Sequence, residues 1–237
     1  MAVLSGLLAG VLTTLAGMGG GLLLLLALSV VLDPLSALVI TSPAMLLGNL
    51  HRLRMYFAQV EWPVVKRLWW GALPGSVLGG WLAVGLPTWT LRLLMAAMAL
   101  LAILNAVGVL RGTPPRAAVT PIGGLLGVIH GTSGGAGPLL GALFQSFGLR
   151  NVRYVASMAA VASAMHIARL FAYGAGGAVT VDLLLQGTFT AVAVIIGNLL
   201  GERLRRWMGE GAQRRLQQVT LFVIMGVAVG SLGLGRV

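Results

Sequence analysis

Two glycine-rich clusters interrupt apolar stretches of the chain and carry the clearest chemical signal in the sequence. The first reads Gly-Met-Gly-Gly-Gly at Gly17–Gly21, and the second reads Gly-Gly-Ala-Gly-Pro at Gly134–Pro138. Glycine destabilises a helix interior by about 1 kcal/mol relative to alanine, so each cluster predicts a break between two half-helices. Inside a membrane, such a break is tolerated only where it is buried in protein or lines a cavity. The N-terminus of a half-helix offers free N–H groups and a partial positive charge, which suit an anion.

Polar residues beside both breaks extend this prediction, because their hydroxyl groups would add hydrogen-bond donors. The residues predicted to bind the anion at the two breaks are Thr14, Gly17, Gly19, Gly20, Gly21, Thr132, Ser133, Gly134, Gly135 and Gly137. The alternative is that the glycines only let helices pack closely, as small residues do in membrane proteins. Gly134 follows Gly17 by 117 residues (134 minus 17), and this recurrence at a regular offset favours the binding site.

Histidines and arginines recur at related positions. His130 precedes the second cluster by four residues, and the offset of 117 aligns His166 with Asn49 and Arg169 with Arg52. We predict Asn49, His130, His166 and Arg169 as further anion-binding residues, and each histidine is equally compatible with a satisfied polar group in the core. Arg52 is expected to extend towards the membrane interface, as arginines near helix ends do. Because histidine titrates near neutral pH, the histidines are also candidates for proton coupling.

The composition predicts a polytopic membrane protein. Of the 237 residues, 58% are hydrophobic and 9% charged, and the mean hydropathy is +0.96. Soluble domains carry about 25% charged residues. The sequence contains no cysteine, which excludes disulfides and thiolate metal sites, and we predict no metal site and no cofactor. The N-terminus lacks the basic region of a signal peptide, so no cleavage is predicted.

The net charge of +11 raises nucleic acid as a partner. The basic residues are instead spread through short loops between apolar spans, as the positive-inside rule expects. We therefore predict no nucleic-acid partner, and a lipid bilayer as the surroundings of the chain.

The hydrophobic pattern divides the chain into two halves of similar plan, and the fold class is predicted to be all-α. The first half, 1–111, contains a glycine-broken hairpin at 2–32 and helices at 35–57, 64–86 and 89–110. A connector at 112–117 follows. The second half, 118–237, contains a hairpin at 118–148 and helices at 152–173, 180–201 and 216–235.

An internal repeat supports this division. Shifting residues 6–56 by 117 without a gap gives fourteen identities. The most informative are the glycines of the two breaks and the pattern Arg-Leu-x-x-Tyr, at Arg52–Tyr56 and again at Arg169–Tyr173.

The loop charges predict how the halves lie in the membrane. If each broken segment enters and leaves on one side, the loops at 51–67, at 111–116 with 150–153, and at 203–215 share a side. They hold 4, 4 and 5 Lys/Arg, which is 13 of 16, and such a bias marks the cytoplasmic side. Three crossing helices per half then make the repeats inverted, with both chain termini outside the cell. In transporters with inverted repeats, broken helices from both halves form the binding site near mid-membrane.

At these residues the sequence resembles the sulfite exporter TauE/SafE family of multi-pass permeases. The family has a glycine-rich segment early in each half, matched by Gly17–Gly21 and more loosely by Gly134–Pro138, which Ala136 interrupts. A tyrosine followed by an apolar-acidic pair also recurs, at Tyr56 with Glu61-Trp62 and at Tyr173 with Val181-Asp182. The resemblance spans nearly the whole chain and implies transport of sulfite, sulfonates or related anions across the inner membrane.

The expected function is therefore export of a small organosulfur anion by alternating access, with the anion held at the tips of the two hairpins. Import or channel conduction of a small oxyanion is the alternative within the same class. An integral membrane enzyme is disfavoured because the five acids lie near the ends of the predicted spans and form no convergent catalytic set. A non-transport membrane subunit is the third alternative. A homo-oligomer is compatible with each of them.

Overall fold

The computed structural model describes residues 2–16, 19–106 and 112–209 continuously, and separate positions between 211 and 230. Every regular element in the continuous ranges is helical. The helices are α1 Ala2–Ala16, α2 Gly20–Ser29, α3 Pro34–Tyr56, α4 Trp62–Gly85, α5 Thr88–Ala106, α6 Val119–Ser133, α7 Gly137–Ser146, α8 Asn151–Ala175 and α9 Val181–Trp207, with short 3₁₀ turns at Phe57–Gln59 and Arg116–Ala118. The helix predicted over 216–235 falls outside the continuously described residues.

The two glycine clusters lie between short helices. α1 and α2 fall within the predicted hairpin 2–32, and α6 and α7 fall within the predicted hairpin 118–148. α2 begins at Gly20 and α7 begins at Gly137. The glycines of the clusters therefore contribute the first turns of two half-helices as well as the breaks themselves.

Several helices are suited to cross a membrane. Among the described residues, α5, α8 and α9 are long and apolar enough to do so. α3 and α4 have 23 and 24 residues, and about 20 helical residues cross the hydrocarbon core of a bilayer, so their length also suffices. Large apolar side chains such as Trp70, Phe171 and Phe189 are exposed, as expected of surfaces that face lipid.

The hairpin of each half packs on a helix of the other half. α1 contacts α9, and α6 contacts α4. A β-carbon built on Gly10 of α1 would lie 2.1 Å from the carbonyl oxygen of Val194, and one built on Gly127 of α6 would lie 2.5 Å from that of Ala72. Only glycine permits this approach, because real β-carbons need more than about 3 Å from such an atom.

These two contacts are equivalent. Gly10 and Gly127 differ by 117, whereas Ala72 and Val194 differ by 122. The same two offsets relate a second pair of contacts. A β-carbon on Gly197 would lie 2.2 Å from the oxygen of Leu7, and one on Gly75 would lie 2.2 Å from that of Gly124. The halves thus contact each other through matching positions, while the direction of each half in the membrane stays a prediction.

Between these packed pairs, α3 and α8 contact each other directly. Asp33 starts α3 by accepting a hydrogen bond from the Ser36 amide at 2.9 Å, and Pro34 occupies the first turn, where its missing N–H costs nothing. Of the three apolar candidate spans, α8 is the most buried, since 72% of the residues in an apolar stretch of 18 residues within it are buried. The side chains that α3 and α8 direct at each other are therefore shielded from lipid, which allows polar groups there.

Candidate functional site

A cavity of about 60 Å³ lies where the two breaks meet α3 and α8. Eight of the predicted site residues line it: Gly19, Gly21, Asn49, His130, Gly134, Gly137, His166 and Arg169. The two breaks, which are separated by more than a hundred residues of sequence, thus border one space. Gly17 lies outside the described residues.

Backbone geometry explains the glycine at each break. Gly19 has φ 90° and immediately precedes α2, and Gly134 has φ 66° and ends α6. Both values fall in the left-handed region, which glycine adopts without a steric cost. The Gly134 amide donates to the carbonyl of His130 at 2.9 Å. Pro138 lies in the first turn of α7, so the half-helix starts at the cavity wall.

Arg52 is buried in this wall, with 2% of its surface exposed. Its Nη1 donates to the carbonyl oxygen of Thr13 at 2.9 Å, and its Nη2 donates to Oδ1 of Asn49. Its Nε has no hydrogen-bond partner among the described residues. The expectation that Arg52 extends to the membrane interface was wrong, because α1 and α3 supply oxygen acceptors that hold the guanidinium inside.

Arg169 is also buried in the cavity wall, with 1% of its surface exposed. Its Nη2 donates to Oγ1 of Thr41 at 3.1 Å. Its Nε and Nη1 have no partner within the described part of the chain. A β-carbon built on Gly134 would lie 2.9 Å from Nη1. One cationic nitrogen without a partner therefore lies directly against the second break.

The two histidines form a pair beside these arginines. The rings of His130 and His166 meet edge to face, with their centroids 4.7 Å apart and an interplanar angle of 78°. Both residues are 5% exposed and line the cavity. Nε2 of His130 and Nδ1 of His166 lack hydrogen-bond partners in the described structure.

The cavity wall is electrically unbalanced. Of the described residues, those that line it include two guanidinium groups and no carboxylate. The acids that form ion pairs do so elsewhere: Glu61 with Arg153, and Glu202 with Arg205 and Arg206. Burying a charge without an opposite charge is costly, so this arrangement suits an anion.

The other predicted residues that the structure describes do not line the cavity. Thr14 donates to Oδ1 of Asn198 at 3.0 Å, Thr132 to the carbonyl of Val128 at 2.9 Å, and Ser133 to that of Ile129 at 2.8 Å. The prediction that these hydroxyls donate to the anion is therefore corrected, because a hydroxyl has one donor. Thr14 uses its donor on a side chain of α9, and Thr132 and Ser133 use theirs on carbonyls of their own helix.

Gly20 and Gly135 do not line the cavity either. A β-carbon on Gly20 would lie 2.2 Å from the carbonyl oxygen of Ala9, and one on Gly135 would lie 2.7 Å from Cβ of Met98. Both glycines are buried, and their role in the structure is close packing. This is the alternative interpretation of the clusters, and it holds for these two positions.

Three polar members of the wall were not among the predicted binding residues: Thr13, Thr41 and Arg52. The repeated Arg-Leu-x-x-Tyr pattern was a usable signal for Arg52, because its counterpart Arg169 was selected. Thr41 carries no such signal. The second tyrosine of the pattern, Tyr173, is fully buried and donates to the carbonyl of Gly131 at 2.6 Å, which fixes α8 against α6.

A family model described as "Sulfite exporter TauE/SafE" matches residues 2–231, which is essentially the whole chain. Comparisons with curated proteins and with solved structures found no match.

Proposed function

Since the chain belongs to the sulfite exporter TauE/SafE family, a family of membrane transporters, we propose that it exports a small organosulfur anion such as sulfite or a sulfonate. The anion binds in the cavity between the two glycine breaks. Alternating access of this cavity to the two sides of the membrane moves the anion across.

The observation that carries this proposal is the pair of buried guanidinium groups without a carboxylate. Arg52 and Arg169 line the same cavity, and three of their nitrogen atoms lack partners among the described residues. Hydrogen bonds from a guanidinium to an oxyanion are short and about twice as strong as neutral ones. An oxyanion in the cavity would satisfy these donors and balance their charge.

The cavity size agrees with a small cargo. A cavity needs roughly 10–15 Å³ to hold one water, so a cavity of about 60 Å³ has room for a small polyatomic ion. Sulfite has four non-hydrogen atoms and methanesulfonate has five. A lipid or a nucleotide is much larger, which argues against an integral membrane enzyme that acts on such molecules.

The driving force for export is available without ATP. Moving one negative charge out of a cell that is negative inside is favoured by about 2.3 kcal/mol per 100 mV. Import and channel conduction would use the same cavity. A counterflow experiment distinguishes a carrier from a channel. Proteoliposomes that contain a carrier and are preloaded with unlabelled sulfite accumulate labelled sulfite transiently, whereas proteoliposomes that contain a channel do not.

The test is sulfite flux through purified protein in proteoliposomes, with a variant that fills the cavity. Ala162 lines the cavity on α8, and Ala162→Leu keeps a strong helix former there. We expect this variant to lose sulfite flux while its amount in the membrane is unchanged. The matched control is Ala175→Leu at the exposed end of the same helix. Equal flux in both variants would contradict the assigned cavity.

A further inference from the structure

The cavity carries more positive charge than a monoanion can balance. Arg52 and Arg169 are each at least 98% buried, since 2% and 1% of their surfaces are exposed. Their protein acceptors are neutral groups of Thr13, Asn49 and Thr41. The four described acids are all elsewhere in the structure: Asp33, Glu61, Asp182 and Glu202. Two formal positive charges therefore share one buried space without an opposing charge from the described chain.

A bound monoanion would leave one buried guanidinium uncompensated. Such a charge is strongly unfavourable in a site with little water. A dianion would neutralise both groups, and its oxygens would accept from the free Nε of Arg52 and the free Nε and Nη1 of Arg169. The donors alone would suit any oxyanion with three oxygens, and the charge of the two guanidinium groups is what favours the dianion.

The histidines do not reverse this conclusion. The titratable side chains in the wall besides the arginines are His130 and His166, and both line the cavity near the arginines. When neutral they leave the charge at two, and when protonated they add to it. Neither state supplies a negative charge that would turn the preference towards a monoanion.

The volume restricts the kind of dianion. At about 60 Å³, the cavity holds one compact group rather than a chain with an acid at each end. We propose that the cavity selects a compact inorganic dianion, with both charges on one oxyanion group, over a monoanion of equal size. This inference rests on the function proposed above.

Sulfate and methanesulfonate form a matched pair of probes. Both are tetrahedral around sulfur and have five non-hydrogen atoms, but sulfate carries two charges and methanesulfonate carries one. Neither changes its charge near neutral pH, whereas sulfite does. Each probe is titrated against bound labelled sulfite on the purified full chain in detergent at low salt, because salt screens such interactions.

We expect sulfate to displace sulfite at a concentration at least tenfold lower than methanesulfonate does. Arg52→Gln removes one of the two charges and should reduce this ratio to threefold or less. Arg52→Lys keeps the charge and should retain the preference. Arg54→Gln is the matched control, because Arg54 is exposed on the same helix, and it should leave the ratio unchanged.

Two results would overturn the inference. One is displacement by methanesulfonate at the same concentration as sulfate or lower. The other is failure of sulfate to compete while sulfite binds, because a site for two charges on a compact oxyanion must admit this ion. If Arg52→Gln does not fold, the ratio in the unmodified protein decides. Failure of the transport function is distinct, since it would appear as absence of sulfite binding and flux altogether.

Discussion

Replacing Arg169 by glutamine tests whether this buried cation serves the anion or the fold. The guanidinium donates through Nη2 to the hydroxyl of Thr41 at 3.1 Å and lies beside the hydroxyl of Tyr173, while its Nε and Nη1 have no hydrogen-bond partner in the described structure. Glutamine is shorter and neutral, and its amide offers a single NH₂ group. The substitution therefore removes the charge and at least one of the two free donor directions.

The expected loss of affinity follows from these donors. Hydrogen bonds to charged groups contribute about 1.5–3 kcal/mol each. Losing one such bond and weakening another to a neutral one gives a loss of about 3 kcal/mol. Because 1.4 kcal/mol is a factor of ten in the dissociation constant, sulfite should bind roughly 100- to 200-fold more weakly.

In the absence of ligand, the substitution should raise the free energy of unfolding or leave it unchanged. In the absence of an anion, Arg169 is a buried cation without a carboxylate, and a neutral amide costs less to bury. At a free sulfite concentration of 100 times the wild-type dissociation constant, binding stabilises the wild type by about 2.7 kcal/mol. A variant that binds 100-fold more weakly gains only about 0.4 kcal/mol by the same relation.

Thermal unfolding in detergent, with and without sulfite, measures both quantities, and calorimetric titration gives the dissociation constant. Arg54→Gln serves as the control, because Arg54 is exposed and should alter neither. A variant that unfolds at a lower temperature without ligand, yet binds sulfite as tightly as the wild type, would refute the reasoning. Arg169 would then be a structural residue rather than a binding residue.

Three further outcomes are expected. Gly10→Ala should destabilise the protein by about 1–3 kcal/mol or more, since the new β-carbon would lie 2.1 Å from the oxygen of Val194. Gly85→Ala is the control, because a β-carbon at Gly85 would have open space. Equal unfolding temperatures of the two variants would contradict the packing at Gly10. Gly134→Ala should cost about 1–2 kcal/mol for its left-handed backbone and reduce sulfite flux, because its β-carbon would lie 2.9 Å from Nη1 of Arg169; flux equal to the wild type would argue against a role for this break. Sulfite efflux from proteoliposomes should become faster when the inside is made negative, because the potential adds about 2.3 kcal/mol of driving force per charge per 100 mV. An efflux rate that does not depend on the imposed potential would indicate electroneutral exchange.

The sequence was sufficient for the helical fold class and for eight of the residues that line one cavity from both halves. Gly19 and Gly134 can be predicted because glycine is a poor helix former, and this property depends on the local sequence alone. Recurrence at an offset of 117 then related the two halves, which single-residue propensities could not do. The same offset gave Arg169, His166 and Asn49 as a set.

The wrong predictions concern side chains whose hydrogen-bond partners are decided by the folded structure rather than by sequence spacing. Arg52 was expected at the interface because isolated arginines near helix ends extend there. In the folded chain, the carbonyl of Thr13 and the amide oxygen of Asn49 bind it internally. The hydroxyls of Thr132 and Ser133 were expected to face the anion, but i−4 carbonyls of their own helix accept them. Sequence spacing does not reveal which acceptor a hydroxyl will choose.

The two halves share backbone contacts but differ in the side chains around their arginines, and this difference gives the two guanidinium groups different hydrogen-bond partners. Asn49 and Thr13 hold Arg52 through both Nη atoms. Their counterparts at an offset of 117 are His166 and His130.

The carbonyl of His130 accepts the amide of Gly134 at 2.9 Å. No hydrogen bond joins His166 to Arg169 in the described structure, and Arg169 instead donates across the halves to Thr41 at 3.1 Å. Its Nε and Nη1 have no hydrogen-bond partner within the described residues. An internal repeat supplies two arginines at matched positions, and unequal neighbours leave Arg52 with only its Nε without a partner and Arg169 with both Nε and Nη1.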